Sequence, residues 1–206
     1  MSANVTQLSF HSPLAPEDQA RAGYYALLAR LYYAGPDAAL LAAIAGADEI
    51  AGEEHSALAS AWRALAAAAR AMDAEAAALE YDEVFVGTGK AEVTLYATFY
   101  LAETGREKIL VRLKDEIAAM GLAKADSARE PEDHIAGLFE VMRHLIMQGS
   151  DDAALQQKVF FERYIEPFFS RFCDATSASD KTNFYKYAGN FARTFLAVET
   201  ESLKVF

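Results

Sequence analysis

The sequence contains a single cysteine, Cys173, so no disulfide can form within the chain and no zinc site can be built from cysteines. The helical pattern around Cys173 predicts a small buried hydrophobic residue. Basic residues are also few, with 19 Lys and Arg against 30 Asp and Glu, which gives a net charge of −11. This deficit argues against nucleic-acid binding, because phosphate contacts need clustered Lys and Arg. An acidic surface suits either solubility or the capture of a basic partner, and charge alone leaves both open.

Long apolar runs are missing as well. No stretch approaches the roughly 20 apolar residues that a bilayer-spanning helix needs, so we expect no stable membrane insertion. The segment Met1 to Phe10 has neither the basic start nor the apolar centre of a secretory signal. Together these two observations predict a cytoplasmic protein.

Alanine, by contrast, is abundant and is concentrated between Ala38 and Ala78. Because alanine favours helices and disfavours strands, the composition predicts an all-α protein. Repeated i, i+3, i+4 stripes indicate an irregular bundle of about eight to ten helices. We expect a flexible N-terminal arm over 1–15 and one helical domain of two loosely defined lobes over 16–206. Linkers at 87–98 and 123–130 would let a lobe exchange between copies, which predicts a monomer with some domain-swapped dimer.

Helix boundaries follow from prolines, glycines and apolar stripes. Proline and two acids predict a helix start at Pro16, and Gly35-Pro36 ends that helix. The clearest stripe predicts a helix from Pro131 to Gln148, ended by Gly149. Further helices are expected at about 54–72, 74–86 and 99–120, from Asp151 to a break at Glu166-Pro167, over 168–173, and from a cap at Asp180 to the C-terminus.

The segment 87–98 interrupts the helical pattern. Gly87 to Lys90 has turn chemistry, and the β-branched and aromatic residues after it would allow a strand. A single strand has no partner for its backbone hydrogen bonds, so we predict an ordered loop. A phosphate-binding P-loop is not indicated, because Val84 replaces the first glycine of that motif and Ala91 its hydroxyl.

Glu130-Pro131-Glu132-Asp133-His134 is the strongest candidate site. Proline at the first helical position would place Asp133 in the first turn, so a simple helix cap explains the motif. His134 beside carboxylates could equally anchor a polar ligand group or act in acid–base chemistry. A metal site is not expected, because the pairs Glu130/His134 and Glu140/His144 lie about 80° apart around a helix. No nucleophile accompanies the motif, so we expect no catalytic residue.

Tyr81 and Phe85 share one helix face at i, i+4 spacing. Aromatic residues at this spacing usually pack in a core, and the alternative is the apolar wall of a groove beside the aromatic loop that carries Tyr96. Aromatic walls beside carboxylates would suit a peptide that contains both hydrophobic residues and arginine.

Taken together, Tyr81-x-x-x-Phe85-x-Gly87 and Glu130-Pro131-x-Asp133-His134 resemble the motifs of the TorD/DmsD family of redox-enzyme maturation chaperones. The segment Phe161-x-Arg163-Tyr164-Ile165-x-Pro167-Phe168 resembles the interhelical segment of that family. The resemblance covers roughly residues 20–200. Tyr164 and Phe168 stand where His and Trp are common in the family, and 92–100 departs from its usual pattern.

The resemblance implies an all-helical cytoplasmic chaperone that is not an enzyme. Such proteins bind the twin-arginine leader peptide and the apo-form of a molybdenum-cofactor oxidoreductase, and delay export until the cofactor is inserted. By motif match, the leader-binding residues would be Tyr81, Phe85, Tyr96, Glu130, Pro131, Asp133 and His134. No cofactor is expected, although guanine nucleotide is associated with the family. Two other functions stay open: a small-molecule or nucleotide-handling enzyme with His134 as general base, and a helical scaffold.

Overall fold

The computed structural model describes residues 14–50, 56–125 and 128–205, and these residues form an all-α bundle without a β-strand. The all-α prediction is therefore confirmed. The predicted arm falls mainly on 1–13, outside the described residues. The ten α-helices of the described residues are α1 (Pro16–Tyr33), α2 (Ala38–Gly46), α3 (Ala57–Ala71), α4 (Ala74–Tyr81), α5 (Ala97–Leu101), α6 (Arg106–Ala119), α7 (Ile135–Gln148), α8 (Asp151–Tyr164), α9 (Glu166–Ala178) and α10 (Tyr185–Ser202).

The centre of the bundle is the antiparallel pair of α1 and α7. Tyr25 in the middle of α1 packs against Phe139 in the middle of α7, and Tyr33 at the end of α1 packs against His134 just before α7. Helices α8, α9 and α10 follow in sequence, and α10 packs on α9, α3 and α1. The core is rich in aromatic residues, which bury more apolar area than any other side chains.

A buried ionic network ties α1 to the C-terminal helices. The guanidinium of Arg21 donates to Glu199 at 2.7 Å, and the hydroxyl of Tyr25 donates to the same carboxylate at 3.0 Å. Arg21 also donates to Gln157 on α8 at 3.1 Å. Because Glu199 is 1% exposed, its charge is tolerated only with these donors in place.

Three predicted helix boundaries are wrong, and each has a local cause. The helix expected from Pro131 begins at Ile135, because residues 131–134 form a turn in which the His134 N–H donates to the Pro131 carbonyl at 3.1 Å. The helix expected over 99–120 is interrupted between α5 and α6, where Gly105 has a φ of 72°. The short helix expected over 168–173 extends over all of α9.

The predicted Asp180 cap of the last helix is also wrong. Helix α10 begins at Tyr185, and its first amides are capped by the distant side chain of Glu80 at the end of α4. Glu80 accepts from Asn183 at 2.8 Å, from Phe184 at 3.0 Å and from Tyr185 at 2.7 Å. Its negative charge also lies at the positive end of the α10 dipole, which stabilises both groups.

Candidate functional site

The loop before α5 is joined to the turn before α7 by two backbone hydrogen bonds. The Ala97 amide donates to the Asp133 carbonyl at 2.8 Å, and the Ile135 amide donates to the Leu95 carbonyl at 2.9 Å. Tyr96 and His134 therefore form an isolated antiparallel bridge. This bridge satisfies loop amides without a sheet, which confirms the prediction of an ordered loop.

Asp133 reinforces this junction with its side chain. The carboxylate is buried, with the residue 4% exposed, and accepts a hydrogen bond of 2.5 Å from the Thr98 hydroxyl. Asp133 is thus a buried residue that precedes α7, whereas the sequence predicted a position in the first turn of the helix. Its role in the structure is to position the loop against the start of α7.

His134 is the N-cap of α7. Its Nδ1 accepts from the Ala136 amide at 3.3 Å, which leaves Nε2 to carry the proton of the neutral ring. The ring lies edge-on to Tyr33 and to Tyr96, with centroid distances of 6.2 and 5.7 Å. Burial lowers the pKa of His134, against the opposing effect of Glu130 and Asp133. We therefore expect a neutral imidazole at pH 7.

Tyr81 and Phe85 pack in the core, so the structure does not place them on a groove wall. They are 7% and 5% exposed. The Tyr81 hydroxyl donates to the Tyr32 carbonyl at 3.1 Å, and the Phe85 ring contacts Tyr32, Phe172 and Tyr185. Of the two interpretations of this i, i+4 pair, core packing is therefore the one that the structure shows.

Gly87 completes the structural role of this motif. Residues Asp82–Val86 form a π-helical turn that ends when the Gly87 amide donates to the Asp82 carbonyl at 2.7 Å. Gly87 has a φ of 65°, and a Cβ there would lie 2.3 Å from the Lys90 carbonyl oxygen. Only glycine fits this turn, which sends the chain into the loop that carries Tyr96.

An open groove lies between α1 and α7, with the end of α6 and the described part of the segment after it along one side, and we call it the α1–α7 groove. Its volume is about 660 Å³. The floor consists mainly of small residues on the two helices, namely Ala26, Ala29, Ala136, Gly137 and Val141. The α1 residues among them are three positions apart, so they share one face of the helix.

Three of the predicted site residues reach this groove. Glu130, Pro131 and His134 line it, whereas Tyr96 lies beside it and contacts Glu130. The Tyr96 hydroxyl donates to the Glu130 carboxylate at 2.8 Å, and burial together with this carboxylate raises the pKa of Tyr96 to about 12. Tyr33, Gly137 and Val141 also line the groove and were missed. Ala26 and Ala29 were missed as well, although the stripe of small residues on α1 was a usable signal for these two.

The charged residues of the groove are mostly paired. Glu132 lies 3.3 Å from Lys114, and Glu140 lies 3.0 Å from Arg143. The Glu130 carboxylate forms no ion pair with any residue that the structure describes. Within the same ranges, no group of three or more His, Cys, Asp or Glu is arranged to hold a metal ion.

Within the described residues, these features define an all-helical protein with an apolar groove, at the edge of which the Glu130 carboxylate has no ion-pair partner. The family model described as the nitrate reductase delta subunit matches residues 52–174, a range that includes both motifs. The chain belongs to this family, the TorD/NarJ type of redox enzyme maturation proteins. The resemblance inferred from the sequence is therefore confirmed, and a role in redox enzyme maturation with it.

A solved structure agrees with this assignment at the level of the fold. The chain is similar to a protein from Archaeoglobus fulgidus whose proposed role is redox enzyme maturation, with 19% identity and a TM-score of 0.53. The match covers 94% of this chain and 99% of the other. No curated protein sequence matches the chain significantly. In the described part of the chain, no helix is both long enough and apolar enough to cross a membrane.

Proposed function

We propose that this maturation protein is a cytoplasmic chaperone that binds the twin-arginine leader peptide of a molybdenum-cofactor oxidoreductase in the α1–α7 groove. The client would be bound in its apo-form, before cofactor insertion and export. The observation that carries the proposal is an apolar groove of about 660 Å³ with a carboxylate at one end. A twin-arginine leader offers the matching chemistry, since its arginines precede an apolar segment.

The dimensions of the groove suit a short peptide segment. From His134 to His144 the groove follows α7 for ten residues, or roughly 15 Å at the rise of an α-helix. That length accommodates about four to five residues of an extended peptide, or roughly ten residues of a helical one. The small residues of the floor leave room for bulky apolar side chains of the ligand.

The enzyme alternative receives less support from the geometry. With Nδ1 engaged by the Ala136 amide and Nε2 carrying the proton, the neutral His134 ring has no free lone pair with which to act as a general base. The lining of the groove includes no serine or cysteine among the described residues. Burial raises the pKa of Cys173 to about 12, so this thiol is a poor nucleophile.

A substitution at Gly137 tests the proposal without disturbing the core. Gly137 is exposed within α7, and a Cβ there would meet only the Glu132 carbonyl oxygen, at 3.6 Å. Gly137→Leu should therefore keep the fold while its side chain fills the groove. Gly137→Ala is the matched control, because it gains the same helical preference with almost no volume.

The ligand for this test is a synthetic peptide of two adjacent arginines followed by about a dozen apolar residues, here named the leader probe. We expect calorimetric titration to show that the probe binds the wild type and Gly137→Ala with similar affinity. Gly137→Leu should bind the probe with an affinity at least about tenfold lower, which corresponds to a loss of about 1.4 kcal/mol of apolar contact. A probe that fails to bind the wild type, or binds all three proteins equally, contradicts the proposal.

A further inference from the structure

We propose that Tyr33, Tyr96 and Glu130 form a guanidinium subsite at one end of the α1–α7 groove, and that this subsite selects arginine over lysine in the bound peptide. The proposal rests on the function proposed above and adds the position and the identity of the basic group that is recognised.

The carboxylates of the groove differ in their capacity to accept a ligand. Glu132 and Glu140 each lie beside a cation of the protein, so a ligand arginine would have to displace Lys114 or Arg143. Glu130 instead accepts one hydrogen bond from a neutral donor, the Tyr96 hydroxyl at 2.8 Å. Two carboxylate oxygens offer about four lone pairs, so Glu130 retains capacity for a bidentate donor. The two parallel N–H groups of a guanidinium match that arrangement, and an ammonium does not.

Two exposed aromatic rings lie at the same end of the groove as this carboxylate, and one of them, Tyr96, contacts it. Tyr33 is 48% exposed and Tyr96 is 39% exposed, and both rings lie edge-on to the same buried imidazole of His134. Both rings contact His134 and remain partly exposed to solvent. A planar guanidinium stacks on tyrosine faces more favourably than a compact, strongly hydrated ammonium does. The two rings therefore favour arginine for a second, independent reason.

The charges along the groove give the bound peptide a direction. Because α1 and α7 are antiparallel, Tyr33 and His134 mark one end of the groove, and Arg143 and His144 mark the other. A cation is attracted to the Glu130 carboxylate, whereas at the other end the Glu140 carboxylate is already paired with Arg143. Two cations of the protein also line the groove near this end: Lys124, whose ammonium donates to the Glu130 backbone carbonyl at 3.2 Å, and Arg30, which is paired with Asp37 at 3.1 Å. We infer that the arginines lie at the Tyr33 end and the apolar residues extend toward Val141.

The test compares three peptides and two variants. The leader probe is titrated beside versions in which both arginines are replaced by lysine or by glutamine. The proteins are the wild type, Glu130→Gln, which keeps an acceptor for Tyr96, and Glu107→Gln, an equal loss of charge at the exposed far end of α6. We expect the wild type to bind the arginine probe at least about tenfold more tightly than the lysine version. The glutamine version should bind most weakly of the three.

In Glu130→Gln the preference for arginine over lysine should fall to the smaller part that the two tyrosine rings supply, and in Glu107→Gln the preference should stay at the wild-type level. Equal weakening of all three peptides by Glu130→Gln, or an unchanged preference for arginine, overturns the subsite while the function proposed above stands. If no peptide binds the wild type, that function fails. The subsite is then tested alone with N-acetylarginine amide, which should shift NMR signals of Tyr33 and Tyr96 in the wild type and should need a higher concentration to do so in Glu130→Gln. An absence of shifts overturns the subsite as well.

Discussion

Asp133 should contribute far more to the stability of the protein than a surface residue of a binding site would. Asp133→Ala removes the acceptor of a hydrogen bond to Thr98 and leaves the Thr98 hydroxyl buried, with the residue 7% exposed. A hydrogen bond to a charged group contributes about 1.5–3 kcal/mol, and an unpaired buried hydroxyl costs about 1–3 kcal/mol. Because the two effects overlap, we expect the free energy of unfolding to fall by about 2–4 kcal/mol.

Urea denaturation followed by circular dichroism measures this loss. With a slope of about 2 kcal/mol per molar urea, the midpoint should fall by about 1–2 M. The exposed Asp115→Ala on α6 is the control and should change stability by less than about 0.5 kcal/mol. Thr98→Ala combined with Asp133→Ala should cost less than the sum of the two single losses, because both break the same bond. If Asp133→Ala has wild-type stability but no longer binds the leader probe, the reasoning is refuted, and Asp133 contacts the ligand directly.

Three further predictions concern stability. Glu80→Ala removes the acceptor of three amides at the start of α10 and should lower the free energy of unfolding by about 3 kcal/mol, with a smaller loss in Glu80→Gln. Equal melting temperatures for the wild type and Glu80→Ala would contradict this cap. Because the pKa of His134 is lowered in the folded state, the contribution of the neutral imidazole to stability should be fully present above about pH 6.5 and should decrease as the pH falls below that value. His134→Asn retains a capping acceptor and should reduce this pH dependence of the free energy of unfolding, measured by urea titrations at pH 5–8. An unchanged pH dependence would exclude His134 as the cause. Backbone strain at a positive φ costs about 1–3 kcal/mol, and Gly87→Ala should lower the free energy of unfolding by more than that, because its Cβ also clashes with the Lys90 carbonyl. Gly89→Ala is the control, since Gly89 has a positive φ but a Cβ there meets nothing within 4 Å. Equal melting temperatures for the two variants would contradict the clash.

Sequence patterns predicted the elements that local rules control. The stripe of α7 and its end at Gly149, with a φ of 61°, follow from apolar spacing and from the conformational freedom of glycine. The cap of α10 could not be predicted, because Glu80 lies 103 residues before the first amide that it binds. The start of α7 was misplaced for a similar reason, since the loop at 95–97 takes the hydrogen bonds that an earlier helical turn would have used.

The candidate site was predicted in part. The motif around Asp133 led to the correct region, but its residues have separate roles: Asp133 and His134 fix the backbone, and Glu130 faces the groove. Sequence spacing cannot distinguish these roles, because burial depends on which loop packs against the motif. Tyr33 was missed because its side chain reaches the site only through the antiparallel packing of α1 on α7.

The central claim, that the α1–α7 groove binds the leader of a client enzyme, is tested most directly by NMR mapping of the leader probe on the isotope-labelled protein. The account predicts that the largest amide shifts fall on Ala29, Ala136 and Gly137, with smaller shifts at Glu130. Shifts confined to the exposed apolar residues of α8 and α10, such as Leu155 and Val198, with the groove unchanged, would contradict it.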